Sequence, residues 1–573
     1  AAPSPDLVIV TGPAAAVPAT LAAAGESGAR VAVVASGGFD DDGRDGAHRR
    51  AELVRIARAS GMRLVGPSSL GVVNTAETVR LRATTAKPVR AGGLAVAAQS
   101  AAVGSSLLDS AHRRGLGIAT FVSLGNKADV SGNDLLSYWY DDPAAKAVAL
   151  YLESLGNPPR FGRIARAVAR RKPVLVVKSG RRAIGVAGGA ADTTVDTLFA
   201  QSGVIRCDGL SDLVATARVL VDQPMPAGDR IAIVGNAGGI NVLCADAAET
   251  ASLTVPALPD DAQELIRSAV PTCVATANPV DLGATATADQ IGGAVQAVAA
   301  YVDAVVIALG ATPGDGAVDV VESLGRAVDD FDGPLVVVLL GLATMPTSLG
   351  RRNIAVFDRL ESAIGALGRA VRYARWRASP LGQRPTLAGI DAFRARRLVD
   401  GALAASGHGG LPEDMGTELL RCYGIPVVPG PTAAPSAATR PAGVEMVMGV
   451  VHDPLFGSVL TCGIGGIASE LLGDRSRRVL PLTDVDAARM WRDLKAAPVL
   501  TGYRGSVPVD TAALEDLLLR LGRLAEDLPE VAALDLDPVI VGPAAAAVVD
   551  VTVRLATIGT EPDAGLRALR EPG

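Results

Sequence analysis

Lysine is scarce in this chain: six residues among 573, against 48 arginines, with none between Ser179 and Leu494. The chain is nevertheless acidic, with a formal net charge of -6, and aromatic residues make up only 3% of it. No basic cluster is interleaved with aromatics, which excludes the usual surface of a nucleic-acid binder, and no nucleic-acid partner is expected. Histidine is scarcer still, limited to His48, His112, His408 and His452. The five cysteines are odd in number, scattered and never in a CxxC spacing. That pattern excludes a disulfide framework or a cysteine zinc site and fits reduced thiols in a cytoplasmic protein. No apolar run approaches the roughly 18 residues of a membrane span. The first residues lack the basic and apolar regions of a secretory signal, so no membrane partner is expected.

What the chain does have is aliphatic and small: 49% of residues are hydrophobic, with Ala, Gly and Val prominent. Such text builds buried parallel strands covered by helices, and the fold class expected is α/β. Asp6 to Val10, Val31 to Ala35 and Leu64 to Gly66 read as short strands alternating with helices, the last being Ala47 to Ser60. Strands at Leu94 to Ala98, Val148 to Tyr151 and Val174 to Val177 make a second unit, closed by Gln223-Pro-Met-Pro226. A third opens at Arg230 and carries strands at Val302 to Leu309 and Pro334 to Leu340. After Gly389 the pattern changes to helices at Asp391 to Ala405 and Met415 to Cys422, then a low-complexity join from Pro431 to Gly443. The expected domains are residues 1-85, 86-224, 225-380 and 381-573.

The stretch from Leu94 to Glu153 carries the most chemistry. An apolar strand ends in Gln99-Ser100 and a helix follows at Val103 to His112, which puts Ser100 where backbone N–H groups converge on an anion. Phe121-Val-Ser-Leu-Gly-Asn-Lys-Ala-Asp129 comes next, then Ala147-Val-Ala-Leu-Tyr-Leu-Glu153, a strand ending in a carboxylate. Together with Gly66-Pro-Ser-Ser-Leu-Gly-Val-Val-Asn74, Lys178-Ser-Gly180, Asn278-Pro-Val-Asp-Leu282, Gly463-Ile-Gly-Gly-Ile467 and Asp535-Leu-Asp-Pro538, this order resembles the NDP-forming acyl-CoA synthetases. These are relatives of succinyl-CoA synthetase and of the synthetase-like part of some bacterial protein acetyltransferases. The resemblance covers nearly the whole chain. It implies a partial CoA-binding Rossmann layer whose first unit would precede residue 1, two flavodoxin-like succinyl-CoA-ligase-type domains, and a partial ATP-grasp domain.

The same resemblance implies ligands and roles. Gly66, Pro67, Ser68, Ser69 and Gly71 match the CoA-side turn, with Ser68-Ser69 in place of Asn-Cys. Ser100, Ala101 and Ala102 match a phosphate turn, Ala101 standing where the family has glycine. Ser123, Asn126 and Lys127 are the next matched positions, though a buried-turn Asn beside a solvated Lys reads equally well. Glu153 matches the catalytic carboxylate that orients an imidazole. Asn236, Gly238 and Gly239 form a second candidate anion nest or a tight turn, and Ser100 and Asn236 are expected to face a shared crevice. Asn278 and Asp281 match a turn whose role is read as structural. Asp535 and Asp537 match the Mg²⁺ position, or a solvated strand edge. The implied cofactors are CoA, with ATP and Mg²⁺ in a complete enzyme, and the partners a small carboxylic acid and a second copy in a homodimer.

Two family features have no match. The phosphoryl-carrying histidine belongs between Lys178 and Phe199, where this sequence has none, and a nucleotide-clamping lysine is missing from the ATP-grasp part. Two readings follow: an acyl-CoA synthetase whose histidine loop and nucleotide lid are not in this sequence, or a non-catalytic CoA or acyl-CoA sensing module, such as the regulatory part of a protein lysine acetyltransferase.

Overall fold

A computed structural model describes residues 4–39, 43–180, 189–311, 317–342, 345–428, 443–466 and 473–557. The interval 181–188, most of the Pro431 to Gly443 join and Ile467 lie outside the described residues.

The first sheet is a three-stranded parallel layer, β1 (Leu7–Val10), β2 (Val31–Val34) and β3 (Arg63–Val65), with α1 (Val17–Glu26) and α2 (Gly43–Ala59) between its strands. Leu21, Leu53 and Leu64 meet in its core, each fully buried.

The second sheet comprises β4 (Gly71–Asn74), β5 (Leu81–Thr84), β6 (Ala91–Ala98), β7 (Ile118–Ser123), β8 (Ala147–Leu152), β9 (Val174–Lys178) and β10 (Val204–Arg206), in the order β10-β9-β8-β6-β7-β4-β5. Its core strands run parallel, and residues 94–98 of β6 are fully buried, which explains their unbroken apolar text. The covering helices are α3 (Ala101–Arg113), α4 (Gly132–Asp141), α5 (Pro158–Arg171), α6 (Gly189–Ser202) and α7 (Leu210–Asp222). The hairpin β4–β5, which precedes the expected boundary at residue 85, pairs with this sheet rather than the first. Val72 and Val73 of β4 pair antiparallel with Val122 and Phe121 of β7. Gly71 permits the crossing: its φ is +117°, and a Cβ there would meet the Ala83 carbonyl.

The third sheet contains β11 (Ile231–Gly235), β12 (Val280–Asp281), β13 (Ala304–Gly310), β14 (Leu335–Leu340), β15 (Ser348–Leu349) and β16 (Ile354–Phe357), in the order β12-β11-β13-β14-β16-β15. Its helices are α8 (Gly238–Thr250), α9 (Asp260–Ala269), α10 (Ala288–Val298), α11 (Ala317–Ala327) and α12 (Leu360–Ala378). One continuous apolar core joins the second and third sheets through α7 and α12. The Tyr373 hydroxyl crosses that join to donate to the Ala169 carbonyl at 2.7 Å.

The fourth sheet is different in kind. Strands β17 (Gly409–Gly410), β18 (Val444–Asp453), β19 (Gly457–Ile464), β20 (Arg475–Val479), β21 (Val531–Val541) and β23 (Val551–Leu555) run antiparallel in the order β17-β23-β21-β18-β19-β20, with β22 (Ala546–Val548) beside β21. Helices Ala392–Ser406, Glu413–Cys422, Asp484–Arg492 and Thr511–Asp527 cover one face over a core of their own.

Trp139 is the largest fully buried side chain of the second sheet's core, and its indole N–H donates to Thr120 Oγ1 at 2.7 Å. Trp139→Ala is expected to cost about 3–5 kcal/mol, from lost burial and an unfilled cavity. Urea titration followed by circular dichroism checks this, and a loss under 1 kcal/mol contradicts that packing.

Candidate active site

The C-terminal ends of the parallel strands β6, β7, β8 and β9 open onto one edge, the place where open α/β sheets bind ligands. Ser100 is the N-cap of α3, its Oγ accepting from the Val103 N–H at 3.3 Å, as the sequence led one to expect, and Ala101 and Ala102 form the first turn behind it. Gln99, buried beside it, was not singled out as a site residue. Its Oε1 accepts from the N–H groups of both Glu153 and Ser154, the latter at 2.9 Å, and so fixes the end of β8. Nothing local announces this contact, because its partners lie on a different strand. Glu153 projects from that end and is exposed.

Lys127 reaches the same edge from the turn after β7. It is half-buried, and its ammonium donates to the Ser154 carbonyl and to Ser154 Oγ, both at 2.7 Å. Burial lowers its pKa to about 8, with Lys178 contributing in the same direction and Glu153 opposing. Lys178, at the end of β9, is also lowered, first by burial, with Asp192 and Glu153 opposing. Two partly desolvated ammonium groups and one exposed carboxylate therefore share this edge.

The turn after β7 docks on the turn after β3, backbone to backbone. The Asn126 N–H donates to the Pro67 carbonyl at 2.9 Å and the Ala128 N–H to the Gly66 carbonyl at 3.0 Å. Gly125, at φ +51°, lets the chains approach, since a Cβ there would strike the Pro67 carbonyl. Ser69 Oγ donates to the Ser123 carbonyl at 2.6 Å, and Ser123 Oγ accepts from the Leu70 N–H at 2.9 Å. Ser69 and Ser123 are both buried, so these two hydroxyls hold the turns together rather than face a ligand. Ser36 Oγ, Ser68 Oγ and Asn126 Oδ1, by contrast, are buried along this seam without a partner. Such atoms are where an ordered water, an ion or a polar ligand would supply the missing bonds.

Beside Lys127 and Ser154 lies a cavity of about 560 Å³ between α4 and α5, lined also by Arg160, Phe161 and Asn133. Asn133 Oδ1 is buried there and lacks a partner.

Asn236 follows β11 but spends its side chain on Gly310, accepting from its N–H at 2.8 Å and donating to its carbonyl at 2.9 Å. Gly238 and Gly239 open α8, and the Asp281 carboxylate sits so near that a Cβ on Gly238 would lie 3.0 Å from it. The Asn236 side chain therefore ties the turn after β11 to the end of β13. No hydrogen bond links it to Ser100 among the described residues, and the two turns belong to different sheets. Asn278 is structural too, bonding Ile231, Ile233 and Pro256. Asp535 and Asp537 lie exposed on one face of β21. Partial desolvation raises the Asp535 pKa, Arg475 opposing and Asp537 adding to it. No group of three or more His, Cys, Asp or Glu side chains is placed to hold a metal among the described residues.

The chain as a whole has known relatives. The chain matches a CoA binding domain over residues 1–75, a succinyl-CoA ligase like flavodoxin domain over 91–220 and an ATP-grasp domain over 435–555. It is 28% identical to "Acetate--CoA ligase [ADP-forming] I" of Archaeoglobus fulgidus, covering 95% of this chain and 90% of that one. That alignment spans 632 positions, more than this chain's 573 residues, so the relative carries internal segments with no counterpart here. Identity is 32% with "Acetate--CoA ligase [ADP-forming] I subunit alpha" of Pyrococcus furiosus, over 65% of this chain and 84% of that one. Among solved structures, the Ca. Korarchaeum cryptofilum dinucleotide forming acetyl-coenzyme A synthetase 1, in complex with phosphate and ADP, superposes with a TM-score of 0.60 at 27% identity. It covers 66% of this chain and 84% of that one. The chain belongs to the family of ADP-forming acyl-CoA ligases.

Gln99→Leu removes the acceptor for two N–H groups and is expected to destabilise the protein by about 1–3 kcal/mol; a neutral result in urea titration contradicts the role given to Gln99. The Lys127 shift fixes a pH dependence. Below about 8 the amine is protonated in both states and its burial cost is fully present. Above that the folded form releases its proton while the unfolded form holds it up to its ordinary value of 10.5, so stability rises across that window. Lys127→Met lacks this rise, and the difference between the two proteins from pH 7 to 10.5 is the measurement; parallel curves contradict the burial of Lys127.

Proposed function

We propose that the protein acts in ADP-forming acyl-CoA synthesis, joining a small carboxylic acid to CoA at the C-terminal edge of the second sheet. The observation that carries this reading is the placement of Ser100, Lys127 and Glu153 on one edge, beside a seam with three unpartnered polar atoms and a 560 Å³ cavity. Backbone N–H groups at the α3 N-terminus and the Lys127 ammonium would hold a phosphoryl group between them. Glu153, its main chain fixed by Gln99, would accept a hydrogen bond from an imidazole carrier. Ser36, Ser68 and Asn126 fit the CoA side of the seam. ATP supplies the phosphoryl group in such ligases, and Asp535 and Asp537 would contribute two oxygen ligands to Mg²⁺, waters filling the rest.

The imidazole itself has no candidate in this sequence between Lys178 and Phe199, and no lysine serves the nucleotide between Ser179 and Leu494. That observation favours a second reading, a CoA or acyl-CoA sensing module, with a fused or separate acetyltransferase as its catalytic part. A homodimer and a cytoplasmic location complete the proposal. The location is supported by five unpaired cysteines and by the absence, among the described residues, of a helix long and apolar enough to cross a membrane.

Incubation with γ-labelled ATP, a small acid and CoA tests both readings. Acid-labile label on the protein together with acyl-CoA establishes the ligase reading. CoA binding by calorimetry with neither product selects the sensing module, and no CoA binding contradicts both.

A further inference from the structure

On the far side of the second sheet from the Lys127 edge, a cleft of about 540 Å³ separates α5, α6 and the end of α12 from β20 and helix Asp484–Arg492. Helices run back against the strands they connect, so the C-terminal halves of α5 and α6 lie at the opposite edge from Ser100 and Glu153. Seven arginines and three aspartates line this cleft, a surplus of four positive charges in a chain whose net charge is -6. The three carboxylates are already engaged: Asp196 with Arg206 at 2.6 Å, Asp493 with Arg478 at 2.6 Å, and Asp486 with the Thr483 hydroxyl in a capping box. Arg375 leaves the balance by pairing with Asp229 at 2.6 Å.

What remains is cationic and held in place. Arg166 donates to the Leu381 carbonyl at 2.7 Å, and Arg170 to the carbonyls of Arg377 and Ser379 at 2.8 and 2.7 Å. These acceptors orient the guanidinium groups but carry no charge to neutralise them. Arg170 stacks over the Trp376 ring at 4.4 Å, and its Nε is buried with no partner. Arg477 and Arg489, both half-buried, pair with no carboxylate among the described residues. The repulsion registers at Arg170, whose pKa is lowered by burial first and then by Arg166 and Arg489. The walls are fixed as well. Gln201 exchanges two hydrogen bonds with the Val479 backbone, at 2.8 and 3.1 Å, and Phe456, Val459 and Val479 pack into the core that contains α6.

We infer that this cleft is a binding site for a compact phosphoanhydride, a pyrophosphate group either free or as the tail of a nucleotide, which clamps the fourth sheet's domain against the ligase sheet. Planar guanidiniums converging from two domains match the tetrahedral, multiply charged oxygens of such a group through paired N–H donors. A cleft of this size takes the anion with its first waters. The site stands apart from the Lys127 edge and does not depend on the protein's being a ligase.

The test uses the full chain with EDTA present, so that no metal-bound nucleotide contributes. Inorganic pyrophosphate, ADP, AMP and sodium chloride at matched ionic strength are titrated by calorimetry and thermal unfolding into the wild type and into R166Q/R489Q. Pyrophosphate is expected to raise the Tm of the wild type and to bind R166Q/R489Q about tenfold more weakly or worse. Without ligand the double variant should unfold at a higher temperature than the wild type, because like-charge repulsion is relieved. The single variant R489Q, expected to show both effects at reduced size, serves if the double variant does not fold. Pyrophosphate without ADP identifies the free anion as the ligand, while ADP bound as well or better by the wild type, and weakened to the same extent in R166Q/R489Q, identifies the nucleotide tail. Equal binding by wild type and variants, or a shift reproduced by chloride, overturns the inference.

Discussion

The proposed active edge depends on the docking of one turn on another. The chain after β3 and the chain after β7 meet through main-chain hydrogen bonds from Asn126 and Ala128 to Pro67 and Gly66. Side chains would hold them apart, and Gly125 removes that obstacle where the backbones are closest. Ser69 and Ser123 then lock the contact from either side. Because the first sheet is small and contributes a separate core, this seam, with the β4–β5 hairpin, is what aligns the Rossmann layer with the ligase sheet. Lys127 lies within the docked turn, so its position on the edge is a consequence of the seam. The ion pair of Arg63 with Asp129 at 2.7 Å extends the same contact.

Charge is distributed sparingly along that edge and densely behind it. Lys127 and Lys178 are two of only six lysines, and burial lowers both, which makes them responsive to an arriving anion. The arginines of the rear cleft cannot relieve their repulsion by releasing protons near neutral pH. Arg166 and Arg170 are oriented by carbonyl groups instead, which leave their charge in place. The two edges of one sheet thus carry different cations, titratable lysines on one and arginines of permanent charge on the other.

Much of this was legible in the sequence, for local reasons. Residues 94–98 read as a buried strand because both faces are covered, and Ser100 read as a helix cap because the cap lies within its own turn. The α/β layers followed from such signals, and their ligase-like character from the resemblance carried by the motifs in that order. The assignment of β4 and β5 to the second sheet did not, since it rests on pairing Val73 with Phe121, far along the chain. Gln99 was passed over for the same reason, its partners being Glu153 and Ser154. Ser69 and Ser123 match motif positions on the ligand side, and Asn236 an anion nest or a tight turn, but motif position shows where a side chain starts and not where its hydrogen bonds end. The arginines of the cleft come from helices and strands of different domains, and the high arginine content of the whole chain hides them.

The central claim is that the seam between the turns at 66–71 and 123–128 is the CoA-facing wall of the active edge. Hydrogen–deuterium exchange with and without CoA tests it most directly. The account predicts slower exchange confined to those two turns and to the adjoining start of α3. Slowed exchange elsewhere, with both turns unchanged by bound CoA, would contradict it.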